Sequence, residues 1–275
     1  MFRIAVIIIL LAYPVLPLNL DSQPPDPERV DFKIAVKALK SGHSLFFFTF
    51  APLTDRAFGG NVDNFKYYDE PKNGLPYFEF SKTRLILNES DIQMQLLEEK
   101  VDINGNVSVR LTTMTPAEFK VIRREEWTCN LRAKYCTDLR ITVGENPVLL
   151  KADTVPIRKN LTAGIRVRFT VNFSLCHTGL RLNVVSGGYL SDFKEYDAEY
   201  DELTQFSTTR MVTNGGSGIG YDVDTVKMYT NGTLAVNTAK MTSNFKPLNS
   251  EDYICDMNGG DKAAVSFFAI NSPNW

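Results

Sequence analysis

The sequence predicts a mainly β protein made of two similar antiparallel domains, each a sandwich or barrel opened by a short helix. Three observations predict it. The stretch FEFSKTRLILN at Phe78 to Asn88 returns as TQFSTTRMVTN at Thr204 to Asn214, so Phe-Ser-x-Thr-Arg is written twice. Apolar residues alternate with polar ones at the strand period in several segments. Asn-Gly pairs sit between β-rich runs, which is the strongest short-range hairpin signal.

Laying the second half on the first extends the repeat outward. The run ending at Gly42 matches the run ending at Gly164. Phe65-Lys66 with Tyr68-Asp69 matches Phe193-Lys194 with Tyr196-Asp197. Asn104-Gly105 matches Asn231-Gly232, Phe119-Lys120 matches Phe245-Lys246, and Trp127-x-Cys129 matches Tyr253-x-Cys255. A period of about 120 residues is the size of a domain and well beyond the roughly 20–50 residues of a solenoid unit. The expected domains are therefore residues 27–145 and 151–270, joined through a linker at Gly144 to Pro147.

Within each copy the elements follow in one order. A helix comes first, with Val30, Ile34 and Ala38 along one face of the first copy and Gly42 at the left-handed capping position. A strand follows at residues 44–50 and again at 166–173, where Val167, Phe169, Val171 and Phe173 share one side. Later runs meet at the two Asn-Gly turns, and the copies close on Leu139–Val143 and Ala264–Phe268. About six or seven strands with one helix point to an antiparallel sandwich or barrel.

The first 20 residues read as a signal peptide: Arg3 precedes a short apolar run from Ile4 to Ala12, and Pro14 and Pro17 follow. That run is too short for a stable membrane span. Residues 21–26 form a proline-rich leader. Asn88, Asn106, Asn160, Asn172 and Asn231 each open an Asn-x-Ser/Thr sequon, so a secreted, glycosylated chain is expected. A net charge of −2 leaves no basic footprint for nucleic acid. Four cysteines in an oxidising compartment allow three disulfide pairings.

A helix ending in Gly, a strand, Phe-x-x-Tyr, Phe-Ser-x-Thr, an Asn-Gly hairpin and an aromatic-x-Cys before a Val-x-Phe-Phe strand together resemble the VirK-type secreted proteins. The residues that carry the resemblance are Gly164, Cys176, Phe193, Tyr196, Phe206, Ser207, Thr209, Gly232, Tyr253, Cys255 and Phe267-Phe268. Two tandem copies would cover most of residues 30–270, the second copy matching better than the first. The resemblance implies an exported β-rich module and brings no activity with it. It also implies a Cys176–Cys255 bond, which leaves Cys129 and Cys136 to close a short loop in the first copy.

No catalytic motif surfaces. His43 and His177 are the only histidines, stand at unmatched places and read as loop residues. Gly215 to Gly220 lacks the spacing and the following helix of a dinucleotide loop. The acidic turns at 102–106 and 252–261 lack calcium-loop spacing. No cofactor or metal is expected. The repeated arginines, Arg84 and Arg210, share a strand face with the inward phenylalanines and need carboxylate partners, for which Asp69 and Asp197 are the candidates; an anion or ligand contact is the other reading. The expected function is a non-enzymatic extracellular binding or matrix protein whose partner is a protein, a glycan or a small apolar ligand; an aromatic share of 11% is compatible with an apolar cavity. The competing expectation is a secreted hydrolase with paired carboxylates.

Overall fold

The computed structural model describes residues 30–271 apart from 52–55, 72–73, 89–90, 134–135, 142–144, 152, 178–181, 191–192, 196–201, 215–217, 230 and 258–262. The signal peptide, the leader and Asp197 thus lie outside the described residues. Helix α1 (Phe32–Lys40) is followed by β1 (Leu45–Ala51), β2 (Arg56–Asn61), β3 (Asn64–Tyr68), β4 (Tyr77–Asn88), β5 (Asp91–Asp102), β6 (Asn106–Met114), β7 (Val121–Asn130) and β8 (Asp138–Ile141). The second half runs β9 (Asn146–Leu149), α2 (Thr154–Thr162), β10 (Arg166–Asn172), β11 (Val184–Leu190), β12 (Phe193–Glu195), β13 (Glu202–Asn214), β14 (Gly218–Tyr229), β15 (Thr233–Thr242), β16 (Pro247–Asp256) and β17 (Val265–Asn271). No described helix is long and apolar enough to cross a membrane.

The strand order of the first half recurs in the second. β2-β1-β8 is matched by β11-β10-β17, and β3-β4-β5-β6-β7 by β12-β13-β14-β15-β16. All pairings are antiparallel, and among the described residues no sheet closes into a barrel. The halves are fused where β3 pairs with β11, which joins two sheets into one of nine strands. Cross-strand partners share a face. One face of this sheet therefore carries Phe65, Phe80 and, through Gly187, Thr170, while the other carries Lys66, Glu79, Ser186 and Val171. The three-stranded sheet and α1 pack on the first face and the five-stranded sheet on the second, so the two sandwiches lie on opposite sides of the sheet they share.

Each core is filled by its own side chains. Phe47, Phe65, Phe78, Phe80, Leu97, Val101 and Val109 gather in the first, and Phe169, Phe173, Phe206, Val226, Tyr253 and Phe267 in the second. The α1 face differs from the expected one: Phe32, Ala35, Val36, Ala38 and Leu39 are buried, and Ile34 is 47% exposed. Val30 is buried too, but it precedes the helix, whose cap is Asp31 accepting from the Ile34 N–H. Of the stretch read as a linker, Asn146 and Pro147 open β9, an edge strand on β17, and Gly144 lies outside the described residues; Pro147 is tolerated in β9 because an edge strand has a side that needs no donor.

The hairpin turns form where Asn-Gly predicts them, but in a different geometry. Only Gly105 (φ 79°) and Gly232 (φ 81°) adopt left-handed backbone, not the asparagines before them. The loop is thus longer than a two-residue type I′ turn and is tied by Asp102, whose carboxylate accepts from the N–H groups of Asn104 and Asn106. A second matched pair of turns places Phe119 (φ 53°) and Phe245 (φ 59°) in the same region, unusual for bulky residues. Thr115 and Thr242 hold these turns alike, each hydroxyl accepting from a lysine N–H at 3.1 Å.

Candidate functional site

The five-stranded sheet of the second domain continues past its own core and lies across the polar face of β3, β4 and β5. At the far end this contact is apolar: Met94, Leu96 and Met114 meet Ile219 and Met211. Tyr221 stands there between the two left-handed phenylalanines, with ring centroids 6.4 Å from Phe119 and 4.6 Å from Phe245. Nearer the β3–β11 seam the contact is ionic. Arg210 is 8% exposed and donates from Nη2 to Glu79 at 2.6 Å and to Asp222 at 2.7 Å. Lys66 Nζ lies 3.4 Å from Asp222 and 3.8 Å from Asp224, and Ser186 donates to Asp224 at 2.6 Å. Burial raises the carboxyl of Asp222, but Lys66 and Arg210 outweigh it and hold the group below the usual range. Burial lowers Arg210, yet Glu79 and Asp222 leave its guanidinium more firmly protonated than usual. Tyr68, whose hydroxyl is 3.3 Å from Glu79, is raised by burial and then by that carboxylate.

Glu79, Arg210 and Asp222 of this cluster line a cleft of about 670 Å³ between the domains. Ser81, Glu98, Lys100, Ser108, Arg110, Glu126 and Thr128 line it from the first domain, and Val212, Thr213, Asp222 and Lys240 from the second. The walls are stitched together: Ser81 donates to the Met211 carbonyl at 2.7 Å, and the Thr213 N–H and hydroxyl each donate to Glu98 at 2.8 Å. Arg110 donates to Glu126 at 2.6 Å and reaches Thr213.

Of the expected ion pairs, the one to Asp197 lies outside the described residues. Arg210 points inward with Phe206, and its carboxylates among the described residues are Glu79 and Asp222. Arg84 follows Phe78 and Phe80 along its face until β4 outruns the core, so it is exposed. It donates to Gln95 at 2.7 and 2.9 Å and lies 4.4 Å over the Phe58 ring. Asp69 instead accepts from Tyr67 at 2.5 Å, and no Arg84–Asp69 pair occurs among the described residues. Arg84 and Arg210 still match: Gln95 faces Arg84 across its hairpin as Asp222 faces Arg210.

Cys129–Cys136 and Cys176–Cys255 are bonded, and no described cysteine is free. Asn106 and Asn231 are exposed beside the hairpin tips. Asn160 and Asn172 are half-buried, the first donating to the Pro156 carbonyl at 2.7 Å and the second accepting from Ser174 at 2.7 Å. Asn88 ends β4.

A buried carboxyl in the first core escaped sequence reasoning. Glu99 is 1% exposed in the first core and accepts from Thr49 and from Thr137, the latter at 3.0 Å. Burial pushes its carboxyl up to about 7, against the two hydrogen bonds, which pull it down. The signal was available: in LeuGluGluLysVal, Glu99 takes the inward place between Leu97 and Val101 at the strand period.

Known proteins add little. No protein-family model and no curated protein sequence matches the chain. Among solved structures, the chain is similar to a VirK family protein from Legionella pneumophila, at 13% identity and a TM-score of 0.38, over 44% of this chain and 100% of that one.

Proposed function

We propose that this chain is an exported, glycosylated, non-enzymatic binding protein of two tandem VirK-type domains, and that the inter-domain cleft takes a neutral, hydroxyl-rich ligand of the glycan class. The observation that carries the reading is the balance of the lining. Four cations, Lys100, Arg110, Arg210 and Lys240, stand against the carboxylates Glu79, Glu98, Glu126 and Asp222, with Ser108 and Thr128 between them, while a fifth lining carboxyl, Glu99, is 1% exposed and held by Thr49 and Thr137. Such a surface offers hydrogen-bond donors and acceptors in alternation with no net field, which suits a neutral polar ligand better than an anion or a lipid. Two filled cores count against the small apolar ligand. Two disulfides are compatible with an extracellular or periplasmic site of action.

The absence of catalysis in this reading also has a physical basis. Glycoside hydrolysis needs one protonated carboxyl and a second free to attack or to activate water. Glu79 and Asp222 converge, but on one guanidinium that keeps them paired, Glu98 is occupied by Thr213, and Glu99, the carboxyl that burial raises, is 1% exposed and held by Thr49 and Thr137. The test is binding of an array of neutral and charged oligosaccharides by the secreted chain, followed by calorimetry. Neutral oligosaccharides should bind with little salt dependence, and Ser108→Trp, which fills the cleft from an exposed strand position, should abolish binding. An array with no neutral hit, or a hit that Ser108→Trp leaves intact, sinks the proposal.

A further inference from the structure

The β3–β11 seam has an unused counterpart at each end of the molecule. In the seam, β11 receives β3 through Gly187 and Gly188. A Cβ on Gly188 would lie 2.1 Å from Asn64 Oδ1, and one on Gly187 would lie 2.6 Å from the Phe65 ring. Glycine is required because another strand comes in close. The register shows that β2 carries the same pair: Phe47 faces Gly60 as Phe169 faces Gly188, and Phe48 faces Gly59 as Thr170 faces Gly187. Yet β2 ends its sheet, and a Cβ on Gly60 would meet nothing closer than 3.6 Å. Nothing among the described residues therefore demands glycine at that position. The donor side repeats as well. β12 carries Phe193-Lys194 where β3 carries Phe65-Lys66, and β12 also ends its sheet among the described residues.

The faces beside these edges agree. On β10, Arg168 and Thr170 are buried under the first domain, Arg168 donating to the His43 carbonyl at 2.7 Å. Their counterparts on β1, Phe46 and Phe48, are 38% and 36% exposed. The corner that does the covering repeats too: a Cβ on Gly42 would lie 2.4 Å from Phe268, whereas its counterpart Gly164 has nothing within 4 Å.

We infer that the chain associates head to tail with a second copy of itself. The β12 edge of one copy pairs with the β2 edge of the next, and the Gly164 corner covers Phe46 and Phe48. The contact reuses the operator that relates the two domains, so it is heterologous and propagates instead of closing as a two-fold dimer. It is weaker than the internal seam, because Arg84 has Gln95 where Arg210 has Asp222.

Sedimentation velocity of the secreted full chain over a wide concentration range tests this. A reversible series extending beyond the dimer is expected. Gly60→Ala and, separately, Phe48→Lys should each weaken association by at least about tenfold while the monomer keeps its melting temperature. Should Gly60→Ala disturb folding, Phe48→Lys, on an exposed face, decides alone. A chain with Phe48→Lys keeps its donor edge and should cap and shorten wild-type oligomers. A chain that stays monomeric at every concentration, association unmoved by Phe48→Lys, or a variant that fails to cap overturns the inference.

Discussion

In the second domain Val171, Val226 and Val265 meet where the first domain brings together Thr49, Glu99 and Thr137. The match follows from register: Phe47 faces Leu139 as Phe169 faces Phe267, and Phe80 faces Glu99 as Phe206 faces Val226. The aromatic pair beside the trio is kept, with ring centroids 5.0 Å apart for Phe47–Phe80 and 5.2 Å for Phe169–Phe206. One strand order thus supports an all-apolar centre in one domain and a hydrogen-bonded carboxyl in the other. Topology leaves the chemistry of the centre open as long as shape is kept and every polar atom finds a partner. The second domain keeps its buried ionic groups at the seam, Arg168 and Arg210 among them; the first places the buried carboxyl of Glu99 in the core.

The cross-links should separate the domains most. Cys176–Cys255 spans 79 residues and Cys129–Cys136 spans 7. On the chain-entropy model, replacing the first pair by serine costs about 4.5 kcal/mol and the second about 2.5 kcal/mol. Chemical denaturation of the two variants checks this, and equal losses would refute the model for this chain. Next come the matched arginines. Arg210→Ala takes the shared guanidinium from half-buried Glu79 and from buried Asp222, which keeps only Lys66 at 3.4 Å, and should cost about 3 kcal/mol. Arg84→Ala, at an exposed position beside a neutral amide, should stay within about 0.5 kcal/mol. A comparable cost for both would mean that the seam is not where the charge is buried.

That arginine pair also shows how far the sequence could be read. The repeat and the hairpins depend on local spacing or on matching one half to the other, so they are legible in a single chain, whereas the cysteine pairing rests on the family resemblance. The face of Arg210 follows from strand alternation. Its partner Asp222 follows from the β13–β14 register counted outward from the Asn214–Gly218 pair, whereas Glu79 depends on how two domains dock and leaves no local trace. The repeated Gly-Gly of AlaPheGlyGlyAsn and ValSerGlyGlyTyr was in plain view, and its second copy, Gly187-Gly188, marks the seam. The cleft, built from both domains, could not be read at all.

Glu99 sets the third expected effect. Its folded value, about 7, lies above the unfolded value of a glutamate, so its stabilising contribution is fully present at low pH. That contribution is lost as pH rises from the ordinary carboxylate range through about 7, because the unfolded chain ionises freely and the core does not accept the charge. The loss should reach about 3 kcal/mol by linkage. Urea midpoints measured from pH 5 to pH 8 should fall for the wild type, and Glu99→Gln should remove that part of the fall. A wild-type curve and a Glu99→Gln curve that run parallel would show that Glu99 does not titrate in this window.

The smallest effect discriminates most finely between the two centres. With Glu99 in place, Thr137→Val takes away one of the two hydroxyls that hold the carboxyl, and should cost about 1 kcal/mol. It should also push the Glu99 titration upward, since the Thr137 hydrogen bond now pulls it down. In a Glu99→Val background the sign changes. The Thr137 hydroxyl then lacks its carboxylate and is left with Thr49, 2.9 Å away, so replacing it by valine moves the site toward the Val171–Val226–Val265 arrangement and should be neutral or stabilising. A double-mutant cycle in urea at pH 5, where Glu99 is protonated, measures this coupling directly. If Thr137→Val costs the same in both backgrounds, the trio is not one coupled unit, and the valine core of the second domain is no guide to how the first could be rebuilt.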